Sequence, residues 1–334
     1  MNVAINGFGR IGRNVFKAGL EKKELNFVGI NDLTDTKTLA YLLKYDTAYG
    51  HFDGEVDYDE KHLIVDGKKI PVFAEKDPGM LPWKKLKVDV VLECTGFFVS
   101  TELAMPHIKA GAKRVILSAP AKDETPTFLI GVNADKYDGK ALVVSNASCT
   151  TNCIGPVMEI LSRHFGIKKS LMTTIHAYTA QQALQDAPQA KDMRRGRAAT
   201  QNIVPTSTGA AGAIGKILPA IAGKFDGQSL RVPIIVGSLS DFTVLLEKKT
   251  TVEEINKVFT KESESKRYSG ILAVSDEPLV SSDFIGSPYS AIVDLPLTQV
   301  MGGDFAKIMV WYDNEWGYSQ RLADLTVLVG KKMK

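Results

Sequence analysis

Gly7-Phe-Gly-Arg-Ile-Gly12 decides the architecture of this chain, because it follows the β-branched run Val3 to Ile5 directly and opens a stretch of helical character. In that setting the glycines have separate geometric duties. Gly7 permits the tight turn, Gly9 lets backbone approach a pyrophosphate, Gly12 lets helix and strand pack closely, and the helix start supplies amide dipoles for the anion. Asp32 stands at the end of the next strand-like run, Phe27 to Asn31, 20 residues after Gly12. A carboxylate there accepts hydrogen bonds from an adenosine ribose and repels a 2′-phosphate, so the pattern predicts NAD rather than NADP. The same residues would also serve an ordinary strand-to-helix turn with a solvated Asn31-Asp32 beyond it, and a binding module without chemistry would share them. Reactive groups have to come from elsewhere.

Outward from the glycine loop, short β-branched runs alternate with helical stretches to about residue 150, the pattern of a doubly wound, mostly parallel α/β sheet. The predicted strands are Val3 to Ile5, Phe27 to Asn31, Val88 to Glu93, Arg114 to Ser118 and Leu142 to Ser145, with helices after Gly12 and from Thr101 to Ala110. Between Glu55 and Phe73, two strand-like runs flank Asp66-Gly67 and predict an antiparallel excursion. After Thr150 strand-like runs follow one another, as in an α+β domain on a mixed or antiparallel sheet. They are Leu171 to Ala177, Val232 to Val236, Phe242 to Glu247, Ser290 to Asp294 and Lys307 to Tyr312. Thr251 with Glu254 has capping-box spacing for a helix from Val252 to Phe259. Leu322, Leu325 and Val329 share one face of a final helix that packs on the body.

With 334 residues the chain exceeds what one core organises, which favours two domains. Hydrophobic residues make up 44% and charged residues 24%, with no apolar run of about 20 residues, so no membrane association is expected. The 41 Lys and Arg are scattered among 38 Asp and Glu for a net charge of +3, which leaves no basic stripe for nucleic acid. Met1-Asn-Val-Ala-Ile5 has no secretory character, and three cysteines cannot build a disulfide framework. A cytoplasmic, reducing location is the expectation.

Among those cysteines, Cys149 in Ser145-Asn-Ala-Ser-Cys-Thr-Thr-Asn-Cys153 follows a strand and precedes the helix-compatible run Ile154 to Phe165. A thiol at a helix N-terminus is open to stabilisation as thiolate, the nucleophilic form. Cys153, one turn further in, reads as a small buried hydrophobe, and no second paired Cys or His motif offers a metal site. His176, in a strand-like run, is open to either a structural or a proton-transfer role.

At this point five motifs carry a likeness: Ala4-Ile-Asn-Gly-Phe-Gly-Arg-Ile-Gly-Arg13, the Cys149 segment, His176-Ala-Tyr-Thr179, Thr206-Ser-Thr-Gly-Ala-Ala211 and Trp311-Tyr-Asp-Asn-Glu-Trp-Gly-Tyr318. From first residues to last helix, the chain resembles glyceraldehyde-3-phosphate dehydrogenases of the phosphorylating, glycolytic kind. The resemblance implies an NAD-binding Rossmann domain over 1–148, completed by a C-terminal helix within 314–334 that returns to it, and a catalytic domain over 149–313. It further implies Cys149 as nucleophile and His176 as base, acting on glyceraldehyde 3-phosphate through a thiohemiacetal and a thioester that inorganic phosphate cleaves. Thr179 and Arg231 would hold the substrate phosphate, and Ser148, Thr150, Arg194, Thr208 and Gly209 the attacking phosphate; the run Met193-Arg-Arg-Gly-Arg197 also reads as a solvated or subunit-facing cluster. On the cofactor side the resemblance implies Gly7, Phe8, Gly9, Arg10, Ile11 and Gly12 at the pyrophosphate and Asp32 at the ribose. Leu33 and Pro188 would exclude a 2′-phosphate, Lys76 and Ser118 would lie near the dinucleotide, Asn314 would bind the nicotinamide carboxamide, and Tyr318 would flank that ring. A homotetramer with a subunit-contact loop over 178–201 follows by the same analogy, with Gln181 and Gln189 standing where many relatives have aspartate and histidine. An erythrose-4-phosphate dehydrogenase shares the glycine loop and Cys149 motif, but Thr179 and Ser207-Thr-Gly209 follow the glyceraldehyde 3-phosphate pattern; a non-catalytic NAD-binding regulator would lose the thiol or the base.

Overall fold

The computed structural model describes residues 1–190 and 192–333. Lys191 of the expected loop and Lys334 of the expected terminal segment lie outside them. By internal contacts the chain divides into two units, Met1–Phe128 with Ala134–Ala147 and Ser319–Lys334, and Leu129–Asn133 with Ser148–Tyr318. Among the described residues no helix is long and apolar enough to cross a membrane.

The first unit begins with Asn2–Asn6 (β1), Arg10–Leu20 (α1), Asn26–Asn31 (β2) and Thr36–Lys44 (α2), then a two-residue ladder of Tyr45–Asp46 (β3) and Gly50–His51 (β4). It continues through Val56–Tyr58 (β5), His62–Val65 (β6), Lys68–Phe73 (β7), Val90–Glu93 (β8), Thr101–Lys109 (α3), Arg114–Leu117 (β9) and Val143–Ser145 (β10). Its sheet has the order β10-β9-β8-β1-β2-β7-β6-β5, parallel from β10 through β7. The hairpin around Asp66-Gly67 is therefore no separate excursion: β7 pairs parallel with β2 through Ile30↔Val72 and Asn31↔Phe73 while pairing antiparallel with β6. β1 lies between β2 and β8, so successive crossovers leave it in opposite directions and open a crevice at its carboxyl end. Ala4, Val91, Val115 and Trp83 pack in one core cluster of this unit.

The second unit holds Cys149–Phe165 (α4), Ile167–Ala177 (β11), Val204–Ser207 (β12), Ala210–Ile217 (α5), Phe225–Val232 (β13), Ser238–Leu246 (β14), Val252–Ser263 (α6), Leu272–Ser275 (β15), Ala291–Met301 (β16) and Phe305–Tyr312 (β17). Its sheet runs β12-β13-β11-β14-β17-β16-β15, with β11 parallel to β13 and antiparallel to β14. A strand over Val232 to Val236 is not found: β13 ends at Val232, having used the earlier, less apolar residues Phe225–Val232 because β11 and β12 pair with them on both sides. The polar strand residues are paired rather than patterned, which hid them from periodicity.

Trp316–Lys332 (α7) carries the chain back to the first unit. Leu322, Leu325 and Val329 are fully buried, and Asp324 and Lys331 pair with Lys22 and Glu24 at 2.6 and 3.0 Å. On α6, Thr251 Oγ1 accepts from Glu254 N, and Glu254 Oε2 accepts from Thr251 N, each at 3.3 Å. Thr251→Ala removes one acceptor from an otherwise intact cap, so a loss of about 1 kcal/mol in unfolding free energy is expected from urea denaturation.

Candidate active site

In the first unit the loop between β1 and α1 is set by two backbone demands. Gly7 has φ 91°, and a Cβ there would come within 2.7 Å of Thr95 N; a Cβ on Gly12 would sit 2.1 Å from Gly7 O. Side chains are therefore excluded where strand, loop and helix meet. The crevice at this end of the sheet is a cavity of about 570 Å³, lined by Gly7 and Gly9, by Asp32, Leu33 and Lys76, and by Asn6, Asn31, Glu75, Thr95 and Phe97 among others. Leu33 and Phe97 are largely exposed on it, apolar surface suited to an aromatic base.

Asp32 is not a solvated turn residue. Its Oδ2 accepts from Phe8 N at 2.7 Å and its Oδ1 from Thr34 N at 3.0 Å, so it ties the glycine loop to the end of β2. Phe8 sends only its backbone toward this site: its ring is fully buried and meets Phe16 edge-on at 5.7 Å. The Arg10 guanidinium, expected near pyrophosphate, is instead held by Asp46 at 2.7 Å and lies over Tyr49, which leaves the backbone of Arg10 and Ile11 at the start of α1 facing the loop. Ser118 sits beside Cys94, a thiol that burial pushes up to about 12.

In the second unit, Ser148 caps α4, its Oγ accepting from Thr151 N at 3.0 Å, which makes Cys149 the first helical residue. Just before it, Ala147 takes a left-handed φ of 56°, a conformation that costs a residue with a Cβ about 1–2 kcal/mol. Cys149 Sγ lies 3.4 Å from His176 Nε2. His176 is on β11 with Ser170, Met172 and Thr174, the buried face of that strand. Its register partner on β13 is Arg231, whose Nη1 stands 2.7 Å from His176 Nδ1 and donates to Ala177 O at 3.1 Å. Nδ1 is also 2.7 Å from Ala177 O: in the tautomer that donates there, Nε2 presents its lone pair to the thiol, and in the other Nδ1 accepts from Arg231 Nη1 while Nε2 carries the proton.

The electrostatics differ from a ready thiolate. Burial raises the Cys149 thiol above its ordinary value and outweighs Arg231, the Thr150 hydroxyl and local backbone amides, which all favour the anion. Burial, with the Arg231 charge beside it, lowers His176 to about 3. Both shifts favour thiol and neutral imidazole, the form in which the ring can accept a proton.

Tyr312, the last residue of β17 and without an expected role at the site, completes this cluster. Its ring meets His176 edge-on at 6.0 Å, and its hydroxyl lies 3.1 Å from Thr150 Oγ1 and 2.8 Å from Thr174 Oγ1. Polar residues repeating on the buried face of β11 were the available signal. Of the expected anion ligands, Arg231 and Thr150 thus stand by the thiol. Thr179 N is 3.4 Å from Gln182 Oε1, the Thr208 hydroxyl accepts from Ala210 N at 3.2 Å, and Gly209 caps α5. Arg194 is exposed in a short turn, its N bonded to Asp192. Gln181 and Gln189 hold the loop together, Gln189 Nε2 donating to Gln181 O and Arg195 to Gln181 Oε1. Asn314 Oδ1 accepts from Gly237 N and Ser238 Oγ at 3.2 and 2.9 Å, which fixes its amide with Nδ2 as the donating end; Tyr318 is buried.

A doubly wound unit with a glycine-loop crevice, joined in one chain to a unit carrying a helix-start thiol against an imidazole, is the arrangement of an NAD-linked oxidoreductase. Residues 1–101 match the family model for the NAD binding domain of glyceraldehyde 3-phosphate dehydrogenase, and residues 148–314 match that for its C-terminal domain. The chain is 51% identical over 335 residues to glyceraldehyde-3-phosphate dehydrogenase 2 of Streptomyces avermitilis, covering 100% of this chain and 99% of the relative. It is 50% identical over 333 residues to the enzyme of that name from Geobacillus stearothermophilus, with 99% of each covered, and 52% identical over 340 residues to that of Mycobacterium tuberculosis, with 100% and 99% covered. This chain belongs to the glyceraldehyde-3-phosphate dehydrogenase family.

Two outcomes are expected. In the unfolded chain His176 takes a proton near 6.5, whereas the buried ring resists to about 3, so acidification through that window favours unfolding. His176→Gln should therefore lose less stability than the parent between about pH 7 and pH 4 in urea titrations. Asp32→Ala deprives the Phe8 amide of its acceptor, so NADH binding should weaken about tenfold without a matching gain for NADPH. Calorimetric titration of both nucleotides reads this directly, and unchanged NADH affinity with a gain for NADPH would mean the carboxylate acts only by exclusion.

Proposed function

We propose that this chain catalyses the phosphorylating oxidation of glyceraldehyde 3-phosphate to 1,3-bisphosphoglycerate, with Cys149 as nucleophile and His176 as base. The observation that carries the reading is the approach of Cys149 Sγ to His176 Nε2, 3.4 Å at the start of α4, in a chain of this family. Attack on the aldehyde carbon forms a C–S bond while the thiol proton moves to Nε2. His176 returns that proton to the alkoxide, giving a thiohemiacetal, and later withdraws the hydroxyl proton as the carbon is oxidised to a thioester. NAD, when bound, supplies the acceptor for the hydride that leaves this carbon. Inorganic phosphate then attacks the thioester carbonyl, the C–S bond breaks, and the protonated His176 returns its proton to sulfur.

Arg231 gives this sequence a trigger. Its charge adds to burial in holding the imidazole down, so an anionic substrate that neutralises the guanidinium removes part of that effect and raises the basicity of the ring once the aldehyde is in place. In this reading Arg231 and Thr179 hold the substrate phosphate, and Ser148, Thr150, Thr208, Gly209 and Arg194 receive inorganic phosphate. The start of α5, where the N-cap Gly209 brings no side-chain acceptor, suits an anion beside Thr208 and Gly209. Residues 1–148 with the terminal helix bind NAD, Asp32 with Leu33 and Pro188 select it over NADP, and residues 149–313 do the chemistry. Lys76 and Ser118 flank the dinucleotide, with Asn314 and Tyr318 at the nicotinamide. The working form is a cytoplasmic homotetramer: Leu184, Met193 and Ile203 are strongly exposed in and just beyond the 178–201 loop, apolar surface that a subunit contact would bury.

The test follows NADH absorbance with glyceraldehyde 3-phosphate, with and without phosphate, using NAD and NADP in parallel. Multiple turnovers should require both NAD and phosphate; full turnover without phosphate sinks the proposal. Cys149→Ser should lower kcat by about a thousandfold or more while NADH binding persists.

A further inference from the structure

Behind the dinucleotide crevice, and outside everything assigned above, the first unit buries a polar chain that an apolar core does not need. Trp83 Nε1 donates to His107 Nδ1 at 3.0 Å. A proton on Nδ1 would face that indole N–H head on, so the ring's proton sits on Nε2, 3.2 Å from Glu93 Oε2. The His107 and Glu93 side chains are fully buried. Glu93 Oε2 also accepts from Asn6 Nδ2 at 2.6 Å, while its Oε1 accepts from Thr95 N at 2.8 Å and from the Thr95 hydroxyl. Asn6 Oδ1 in turn accepts from Asn31 Nδ2 at 2.7 Å, and Asn31 pairs reciprocally with the backbone of Glu75, each bond 2.9 Å.

The chain thus runs from α3 across the carboxyl ends of β8, β1 and β2, and its far members Asn6, Asn31, Glu75 and Thr95 are themselves walls of the crevice. Each amide and hydroxyl in it has its orientation fixed by the next, and the chain is pinned at both ends, by the Trp83 indole N–H on one side and by the backbone of Glu75 on the other. Removing the indole N–H leaves the imidazole held only through Nε2, so the ring and the Glu93 carboxylate it bonds gain freedom that passes to Asn6 and Thr95.

We propose that Trp83, His107 and Glu93 are positioning residues that hold the floor of the dinucleotide crevice in its binding geometry, and so set cofactor affinity without touching the cofactor. This rests on the reading of the crevice as the NAD site. Calorimetric titration of the full chain with NADH, together with steady-state kinetics, tests both. Trp83→Phe keeps the ring and removes only the N–H, and His107→Leu removes both ring nitrogens. NADH affinity should fall about threefold in the first and about tenfold in the second, and KM for NAD should rise in step with a much smaller change in kcat. His107→Gln, whose amide can donate to Glu93, should recover part of the loss. Thermal melts of all three variants separate folding from binding: a lowered melting temperature with unchanged NADH affinity would overturn the proposal, leaving the chain a packing feature. If His107→Leu does not fold, Trp83→Phe decides, unchanged affinity again overturning it. Failure of the parent protein to bind NADH would overturn the crevice assignment itself.

Discussion

Cys149 and His176 meet because a helix and a strand of comparable reach reverse on one residue. From Cys149 to Phe165 the helix climbs about 24 Å, and from Ile167 to His176 the strand returns about 30 Å, so the imidazole arrives near the level from which the thiol departed. The reversal is Gly166, with φ 68° and with Glu247 filling the space a Cβ would need. Everything else at this centre follows from the strand so placed. Its parallel partner β13 brings Arg231 level with His176, and β14, on its other side, continues the sheet to β17 and Tyr312. One turn residue therefore sets the nucleophile–base distance, and sheet register supplies the charge that tunes it.

That dependence explains what could be read from the sequence. The glycine loop, the first-unit strands and the α6 cap were legible because each is specified within a few residues: a turn needs a glycine, a helix start needs an acceptor. The sheet order was less so. Lys68–Phe73 looked like half of a detached hairpin, since nothing local says that its last residues also pair with Ile30 and Asn31. The partly polar β13 was displaced onto Val232 to Val236 because its membership comes from its neighbours and not from its own periodicity. At the site, His176 carries no local mark of function, and Tyr312 lies 136 residues further along the chain. The likeness to a family brought the histidine forward; only the fold reveals the tyrosine. Charge state was the least legible property. A helix start argues for a thiolate, but desolvation of Cys149 outweighs it, and no sequence pattern reports how much water the fold will remove from a thiol.

The return of α7 has a consequence for the order in which the chain becomes a protein. Ser319 onward belongs to the same unit as the glycine loop, with Leu322, Leu325 and Val329 wholly inside it. During synthesis the segment made first must wait, its apolar seat for α7 uncovered, until about 170 residues of the second unit and then the helix have emerged. The second unit can close before the first, and the cofactor-binding half is finished last. A truncation just after Tyr312 would spare every residue of the thiol–imidazole cluster and still leave the dinucleotide unit without one wall of its core.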